Sequence, residues 1–507
     1  MFEHGSTAQA GTGEDGACLG EDEDVLTPLG PASSGPAPDL TALQTFRESL
    51  AASVDGLDDA ARIDQIRALE ELKAAAAARQ ARLSVEFDAS QREEQATAGV
   101  PRKRLGRGVG EQISAARRDA PRKGGQHLGL AHALIRVLPH TMRGLELGRI
   151  TERRASLILR EIACLSEQDQ REIDRRLAAD TDAVEGWGDR RFSGEAHKHA
   201  LELDNAALAE RRRRAVGGRR VTVRPAPDGM GYLTGLLPLA QGVAVYATLF
   251  KHATSLIATG DERTPGQIMA DTLIERVTGA PAAAPVPVEI RLVVTDRTLL
   301  AGGNEPAYLP GYGSIPAEAA RDMVRDAIRY QTHTGTAAGA SQRAGPPAAR
   351  GSRSPDEQNQ REQKKAYAWL RAVYTHPSTG ALIAMSSKRR TAPAGLADLI
   401  DTRDQTCRTP WCDAPIRHHD HITPAAAGGP THGEQMQGLC EACNYTKETY
   451  GWNARRVPGP RHTVTTTTPT GHRYTSRAPR LPGAPPEPAL ADYSYVENQL
   501  IEVLIAA

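Results

Sequence analysis

Residues 401–452 read DTRDQTCRTPWCDAPIRHHDHITPAAAGGPTHGEQMQGLCEACNYTKETYGW. Cys407 and Cys412 form a C-x4-C pair, and Cys440 and Cys443 form a C-x2-C pair. Four thiolates converge on one tetrahedral zinc only when each pair sits on a tight knuckle, and this spacing supplies two knuckles. Between them lie His418, His419, Asp420 and His421, and Asn444 directly follows the second pair. A plain zinc ribbon has no need of this second set of hard ligands.

Phosphodiester hydrolysis would use it. The reaction needs an activated water, charge stabilisation on the phosphoryl oxygens and help for the leaving oxygen. A histidine, which titrates near neutrality, suits the first task, and His421 is the candidate base. A hard cation held by a carboxylate and an amide oxygen suits the other two, and Asp420 and Asn444 are its candidate ligands. Such a cation meets the phosphate directly, with His421 on the opposite side of the phosphorus. Lys447 stands three residues past Asn444, about one helical turn on, where its ammonium can reach a neighbouring phosphate. Other uses of these residues are open. The cysteines could form two disulfides, which requires an oxidising compartment. Asp420-His421 could be a turn without chemistry. His418, His419 and His432 read first as solvated loop histidines, with His419 the one placed to orient a ligand.

The segment resembles an HNH endonuclease module across roughly residues 385–480. Cys407, Cys412, Asp420-His421, Gly428-Gly429, Leu439-Cys440, Cys443-Asn444 and Lys447 carry the resemblance. It implies a strand–strand–helix (ββα-metal) finger with a structural zinc. It also implies a second divalent cation, magnesium, manganese or another, presented to nucleic acid, with DNA expected first. Carried over, His421 is the general base, Asp420 the cation-binding carboxylate and Asn444 the last ligand. The middle motif position, normally Asn, is Gln435, whose extra methylene changes how its amide can pin the histidine-bearing loop. A zinc-stabilised nucleic-acid-binding protein with a decayed cleavage centre is the alternative this departure keeps open.

The rest of the chain must position this module. Its 507 residues suggest about three domains. Formal net charge is zero but uneven: residues 1–40 hold eight acidic residues and no Lys or Arg, whereas Lys388 to Arg480 holds 13 Lys/Arg against 8 Asp/Glu. The first stretch, also rich in Gly, Ala and Pro, predicts a disordered acidic tail, and the second favours a polyanionic partner. No apolar run approaches a membrane span and residues 1–30 lack the features of a signal peptide, so the expectation is a soluble, cytoplasmic chain with no membrane partner. Cys164, in an apolar helical pattern, reads as an inert core thiol, and Cys18 falls in the tail.

The predicted fold class is a mainly α N-terminal domain with a small α/β part, followed by the zinc-stabilised ββα finger. Helical periodicity predicts a long helix or helical hairpin over 61–98 and further helices near 108–119, 126–140, 151–162, 166–179 and 192–214. A hairpin over 217–237 turns at Pro227-Asp228-Gly229, and helices follow near 238–258 and 265–278. A buried strand is expected from Val286 to Thr295 and a helix over 316–331. Residues 332–364 read as a flexible linker. Strands near 367–374 and 380–386, a helix at 394–403 and a Thr-rich hairpin over 462–476, turning at Pro469-Thr470-Gly471, frame the cysteine module. The last 481–507 residues read as a Pro-rich tail ending in a short helix. The domains expected are therefore 1–40, 41–331, 332–364, 365–480 and 481–507.

The 41–331 region resembles the largely helical domain of unknown function that often precedes HNH modules in actinobacterial proteins. Arg219-Arg220-Val221 through Gly235, Gly266 through Asp271 and Gly311 through Pro316 carry the likeness. It implies architecture only. Two basic clusters, Arg102-Lys103-Arg104 with Arg107, and Arg211 to Arg214 with Arg219 and Arg220, read either as solvated helix charge or as phosphate contacts. Gly106-x-Gly108-x-Gly110 is no dinucleotide fingerprint, because no strand precedes it. The Thr-rich hairpin is either an edge-strand oddity or a groove-reading ribbon.

Overall fold

A computed structural model describes residues 38–52, 55–279, 281, 292–325, 391–459 and 461–484. Nine helices open the described chain: α1 (Leu40–Ser49), α2 (Asp59–Thr97), α3 (Val109–Ala116), α4 (Gly124–Arg136), α5 (Pro139–Glu146), α6 (Glu152–Ile162), α7 (Glu167–Ala178), α8 (Asp189–Leu203) and α9 (Asn205–Gly217). The 61–98 pattern is one uninterrupted 39-residue helix rather than a hairpin arm. Only from Ala74 onward is α2 buried, where Ala74, Ala78 and Ala81 let α4 and α5 approach closely. The core beneath is aliphatic, built on Leu134, Leu138, Leu145, Ile158, Ile162 and Ile173 around a fully buried Phe192. Cys164 packs at its edge as a free thiol.

Two expected helices are each broken in two, for local reasons. The 126–140 pattern ends at Arg136 and restarts at Pro139, which has no N–H to continue the ladder but fits the first turn of α5. The 192–214 pattern breaks at Asp204, whose backbone leaves the helical region (φ −145°, ψ 86°) while its side chain caps α9 by accepting the Ala207 N–H. Ser166 starts α7 as its sequence predicts, accepting the Asp169 N–H.

The predicted hairpin forms from β1 (Arg220–Pro225) and β2 (Gly231–Leu236), antiparallel in register from Arg220↔Leu236 to Pro225↔Gly231. Asp228 and Gly229 make its turn at φ 60° and 76°, a region open to Asp and Gly where most residues are strained. Then come α10 (Leu239–Ala258), α11 (Pro265–Thr278), α12 (Asp296–Leu300), β3 (Ala307–Leu309) and β4 (Gly313–Ile315). Of the strand expected at Val286–Thr295 only its last residues are described, and Val293 bridges Tyr308 there. Residues 317–325 are helical. The predicted linker, the strands at 367–374 and 380–386, the closing helix and nearly all of the acidic tail lie outside the described residues.

The C-terminal part holds α13 (Ala394–Asp404), β5 (His418–His421), β6 (Met436–Leu439), α14 (Glu441–Lys447), β7 (Asn453–Val457), β8 (Thr463–Thr467) and β9 (Arg473–Arg477). β5 and β6 pair antiparallel and α14 packs on β5, so the strand–strand–helix order is present. The Thr-rich hairpin is β8–β9, and it gains an unexpected third strand, β7. The fold class is thus as read from the sequence: a mostly helical N-terminal region, small sheets, and a four-cysteine cluster on β-hairpins with helices. Among the described residues, no helix is long and apolar enough to cross a membrane.

Among the described residues the helical region buries two carboxylates that sequence reasoning does not single out, Asp88 and Asp174, and the second is a cap. Asp174 on α7 accepts the His140 N–H (2.7 Å), the Thr141 N–H (3.0 Å) and the Thr141 hydroxyl (2.5 Å), capping α5 from a neighbouring helix. Burial raises its pKa above the usual carboxylate range, against those donors. Removing it strands three buried donors, so Asp174→Ala should cost about 2–5 kcal/mol. A denaturant-unfolding midpoint unchanged by this substitution would show that the cap carries no stability.

Candidate metal centre

Each knuckle is built by backbone hydrogen bonds. The Cys407 N–H donates to Ala414 O (2.9 Å) and the Cys412 N–H to Thr409 O (3.0 Å), folding the first pair back on itself. Cys440 ends β6 and caps α14, its sulfur accepting the Cys443 N–H at 3.5 Å. The four Sγ atoms all lie within 4.8 Å of one another. Cys412 Sγ stands 3.9 Å from Cys440 Sγ and 3.7 Å from Cys443 Sγ. A tetrahedron of ~2.3 Å zinc–sulfur bonds has edges of about 3.8 Å, so the cluster fits a structural zinc. The same separations are far from the ~2.05 Å of an S–S bond, and all four cysteines are free, which sets aside the two-disulfide reading.

The electrostatics favour a cation. Hydrogen bonds from its neighbours, Cys407 first, hold the Cys440 thiol far below its ordinary range, while the same neighbours, again Cys407 first, push Cys443 far above. Four crowded sulfurs cannot all ionise unaided. A divalent ion removes the conflict by taking all four as thiolates.

A buried ionic frame that the sequence reading missed anchors the hairpin. The Arg403 and Asp404 side chains are 10% and 0% exposed. Arg403 donates to Asp404 through Nε (2.6 Å), to Met436 O (2.8 Å) and to Gly433 O. Asp404 Oδ2 accepts the Gly438 N–H at 2.7 Å. Arg408, between the cysteines of the first knuckle, donates to His462 O (3.0 Å) and Ser476 O (2.8 Å), tying the zinc knuckle to the three-stranded sheet. Burial pushes the Arg408 guanidinium down to about 10, with Asp404 opposing. Burial also lowers His462 to about 3, aided by Arg403, so this histidine is neutral in the folded chain. The one advance signal was the adjacent Arg403-Asp404 pair closing the helix just before Cys407.

The candidate catalytic residues separate onto two sides of β5, since successive strand residues face opposite ways. Asp420 meets α14: its Oδ2 is 2.9 Å from Lys447 Nζ. Asn444 lies three residues before Lys447 and so on the same helix face. Asp420 Oδ2 and Asn444 Oδ1 are both buried; the first has the Lys447 ammonium as its partner and the second has no hydrogen-bond partner among the described residues. Lys447, expected to reach outward to phosphate, is instead folded inward, 8% exposed, between Asp420 and Glu448. His421 lies on the other side, 5% exposed, with Nε2 2.9 Å from the Thr431 hydroxyl. Gln435 reaches the histidine-bearing loop through its main chain, its carbonyl accepting the Ile422 N–H at 2.9 Å. His419 Nε2 contacts Asp401 Oδ1 at 2.7 Å, which fixes β5 against α13. The loop between is shaped by Gly428 in the left-handed region (φ 87°) and by Gly429, where a Cβ would stand 1.9 Å from Thr423 O.

A profile described as Domain of unknown function (DUF222) matches residues 64–353, more than half of the chain. The chain belongs to the DUF222 family. It is 35% identical over 113 residues to Uncharacterized protein Rv3776 of Mycobacterium tuberculosis (strain ATCC 25618 / H37Rv), covering 19% of this chain and 21% of that one. It is 40% identical over 86 residues to Uncharacterized protein Rv2100 of the same strain and to Uncharacterized protein MT2160 of strain CDC 1551 / Oshkosh, covering 16% of this chain and 15% of each. The matches thus span about a fifth or less of these relatives. No solved structure matches.

The DUF222 region touches the finger directly. Gly108 packs against the Trp452 indole and Thr449, and the Thr470 hydroxyl at the β8–β9 turn donates to Gln112 on α3 at 3.1 Å. Gln112 in turn donates to Gln91 on α2 at 3.2 Å, so a chain of amides runs from the long helix to the sheet.

Elemental analysis of reduced protein should find about one zinc per chain. Because thiolate coordination supplies folding free energy, Cys440→Ala should lose both the metal and the fold of residues 391–484. Folded, zinc-free protein would overturn the assignment.

Proposed function

We propose that this DUF222 protein is a metal-dependent HNH endonuclease that hydrolyses phosphodiester bonds in nucleic acid, DNA first. One observation carries the reading: Asp420 Oδ2 on β5 and Asn444 Oδ1 on α14 are both buried in one strand–strand–helix frame, the first held by the inward Lys447 ammonium and the second without a hydrogen-bond partner among the described residues. Lys447 supplies the partner charge of Asp420 in this arrangement, and the donor set of carboxylate and amide oxygens suits magnesium or manganese in its place. Such an ion supplies Lewis-acid stabilisation of the phosphoryl oxygens. Displaced from Asp420, Lys447 becomes free to turn toward phosphate. Thr431 holds Nε2 of His421, which leaves Nδ1 as the nitrogen to take a proton from water.

The burial of His421 favours a second reading, in which the zinc-stabilised module binds nucleic acid without cutting it. A plasmid-nicking assay with added magnesium or manganese separates the two. His421→Ala should abolish cleavage, a loss on the order of a hundredfold or more, with zinc content intact. Asp420→Ala and Asn444→Ala should raise the metal concentration needed for any residual activity. Full activity in His421→Ala, or no nicking by the unaltered zinc-loaded chain, retires the endonuclease reading.

Gln435 acts through its carbonyl, so its side chain is not what pins the loop. Gln435→Asn should leave the nicking rate within about threefold. A gain of roughly tenfold, about 1.4 kcal/mol of barrier, would mean that the longer amide obstructs the site.

A further inference from the structure

The three-stranded sheet beside the finger has two unlike faces. Across it, Asn453, Thr467 and Arg473 align on one rung, Arg455, Thr465 and Thr475 on the next, and Val457, Thr463 and Arg477 on the third. Side-chain alternation puts these rungs on one face. The opposite face is the packed one: Val464 is 1% exposed, Arg456 pairs with Glu434, and Tyr474 meets the Trp411 ring edge-on at 5.3 Å. On the first face Arg455, Arg473, Thr475 and Arg477 are exposed. No acidic residue lies on its rungs, and none of the three arginine side chains makes an ion pair or hydrogen bond among the described residues.

Sheet formation explains the threonines, since β-branched residues favour strands, but it does not explain the arginines. Nor is this the usual state of arginine in the chain. In the basic run Arg211 to Arg214, Arg213 and Arg214 both pair with Glu210, at 2.6 and 2.9 Å, and Arg211 donates to Glu161 O and Arg160 O. Glu210 thus offsets part of the charge of that cluster. On the sheet, Arg473 and Arg477 are about 13 Å apart along one strand and Arg455 lies two strands away, about 10 Å, by ordinary strand spacings. These separations are comparable to the ~12 Å of a duplex major groove between its two backbones. The face begins six residues after Lys447 in the sequence; the opposite face, through Ala454, Thr466 and Tyr474, lines a cavity with Thr446 and Lys447 of α14.

We propose that the arginine–threonine face of β7–β8–β9 binds the phosphate backbone of duplex DNA. Guanidinium groups and hydroxyls there position the duplex without reading its sequence. The proposal rests on the nucleic-acid reading of the finger but not on cleavage.

The test is binding of a 30-base-pair duplex to the full zinc-loaded chain, without added magnesium or manganese, by fluorescence anisotropy between 50 and 200 mM salt. Each lost phosphate contact should flatten the slope of log K against log salt by about 0.9. The triple variant Arg455→Gln/Arg473→Gln/Arg477→Gln should therefore bind more weakly, with a slope smaller by roughly two to three, at unchanged zinc content. Arg213→Gln/Arg214→Gln should leave both quantities unchanged. Should the triple variant lose zinc, the three single variants replace it, each expected to lower the slope by about 0.9. Wild-type slope in the triple variant, or in all three single variants, overturns the proposal. So does a chain that binds phosphatidylserine vesicles and not the duplex. Salt-dependent duplex binding with no nicking under added metal would retire the endonuclease reading and leave this one standing.

Discussion

Everything in the C-terminal module depends on the convergence of four sulfurs. Cys407 and Cys412 come from one turn and Cys440 and Cys443 from another, and their mutual distances fit one tetrahedral ion. Without a cation, four thiols within 4.8 Å of one another in a mostly buried cluster cannot all ionise. A small unit of this kind has little aliphatic core of its own: Leu396, Ile400 and Met436 form one cluster and Leu439 packs on the cysteines. A metal bound by the four cysteines would stand in for the burial that a larger domain uses.

The second constraint is ionic. Arg403 and Asp404 are buried together and spend their hydrogen bonds on the backbone of β6 and the turn before it. A buried pair of this kind adds little net stability, yet loss of one partner leaves an uncompensated charge and costs about 3–5 kcal/mol. The pair thereby fixes the strand that ends in Cys440 and pairs with β5, so the zinc knuckle and the Asp420–Asn444 face are held by one frame. Arg408 extends that frame to the three-stranded sheet, and the Gln91–Gln112–Thr470 relay joins the sheet to the DUF222 helices. The finger is therefore docked on the family domain through polar contacts.

Much of the fold was legible in the sequence because its signals are local. Helical periodicity, the Ser166 cap, the Pro227-Asp228-Gly229 turn and the cysteine spacings each act over a few residues, and each feature formed. The errors were of the same local kind in reverse. The 126–140 and 192–214 patterns ran through Pro139 and Asp204, where ring geometry and a side-chain cap end one helix and start the next. The strand β7 was missed because Asn453-Ala454-Arg455-Arg456-Val457 carries little β propensity and pairs only because β8 is there to receive it.

The sequence alone determined which residues could do chemistry: four thiols at knuckle spacing, a carboxylate beside a histidine, and an amide just after the last cysteine. Residue type and short spacing suffice for that, since ligand chemistry belongs to the side chain. Only the tertiary structure decided where each points. It turned Lys447 inward to Asp420, set His421 on the far side of β5 against Thr431, and gave Gln435 its loop contact through the carbonyl rather than the amide. It also decided how arginines stand: Glu210 pairs with both Arg213 and Arg214 within one helix, while the register of β7–β8–β9 gathers Arg455, Arg473 and Arg477, without an ion pair among the described residues, from two strands onto one face. Charge pairing across strands is long-range in sequence, so only the fold could show it.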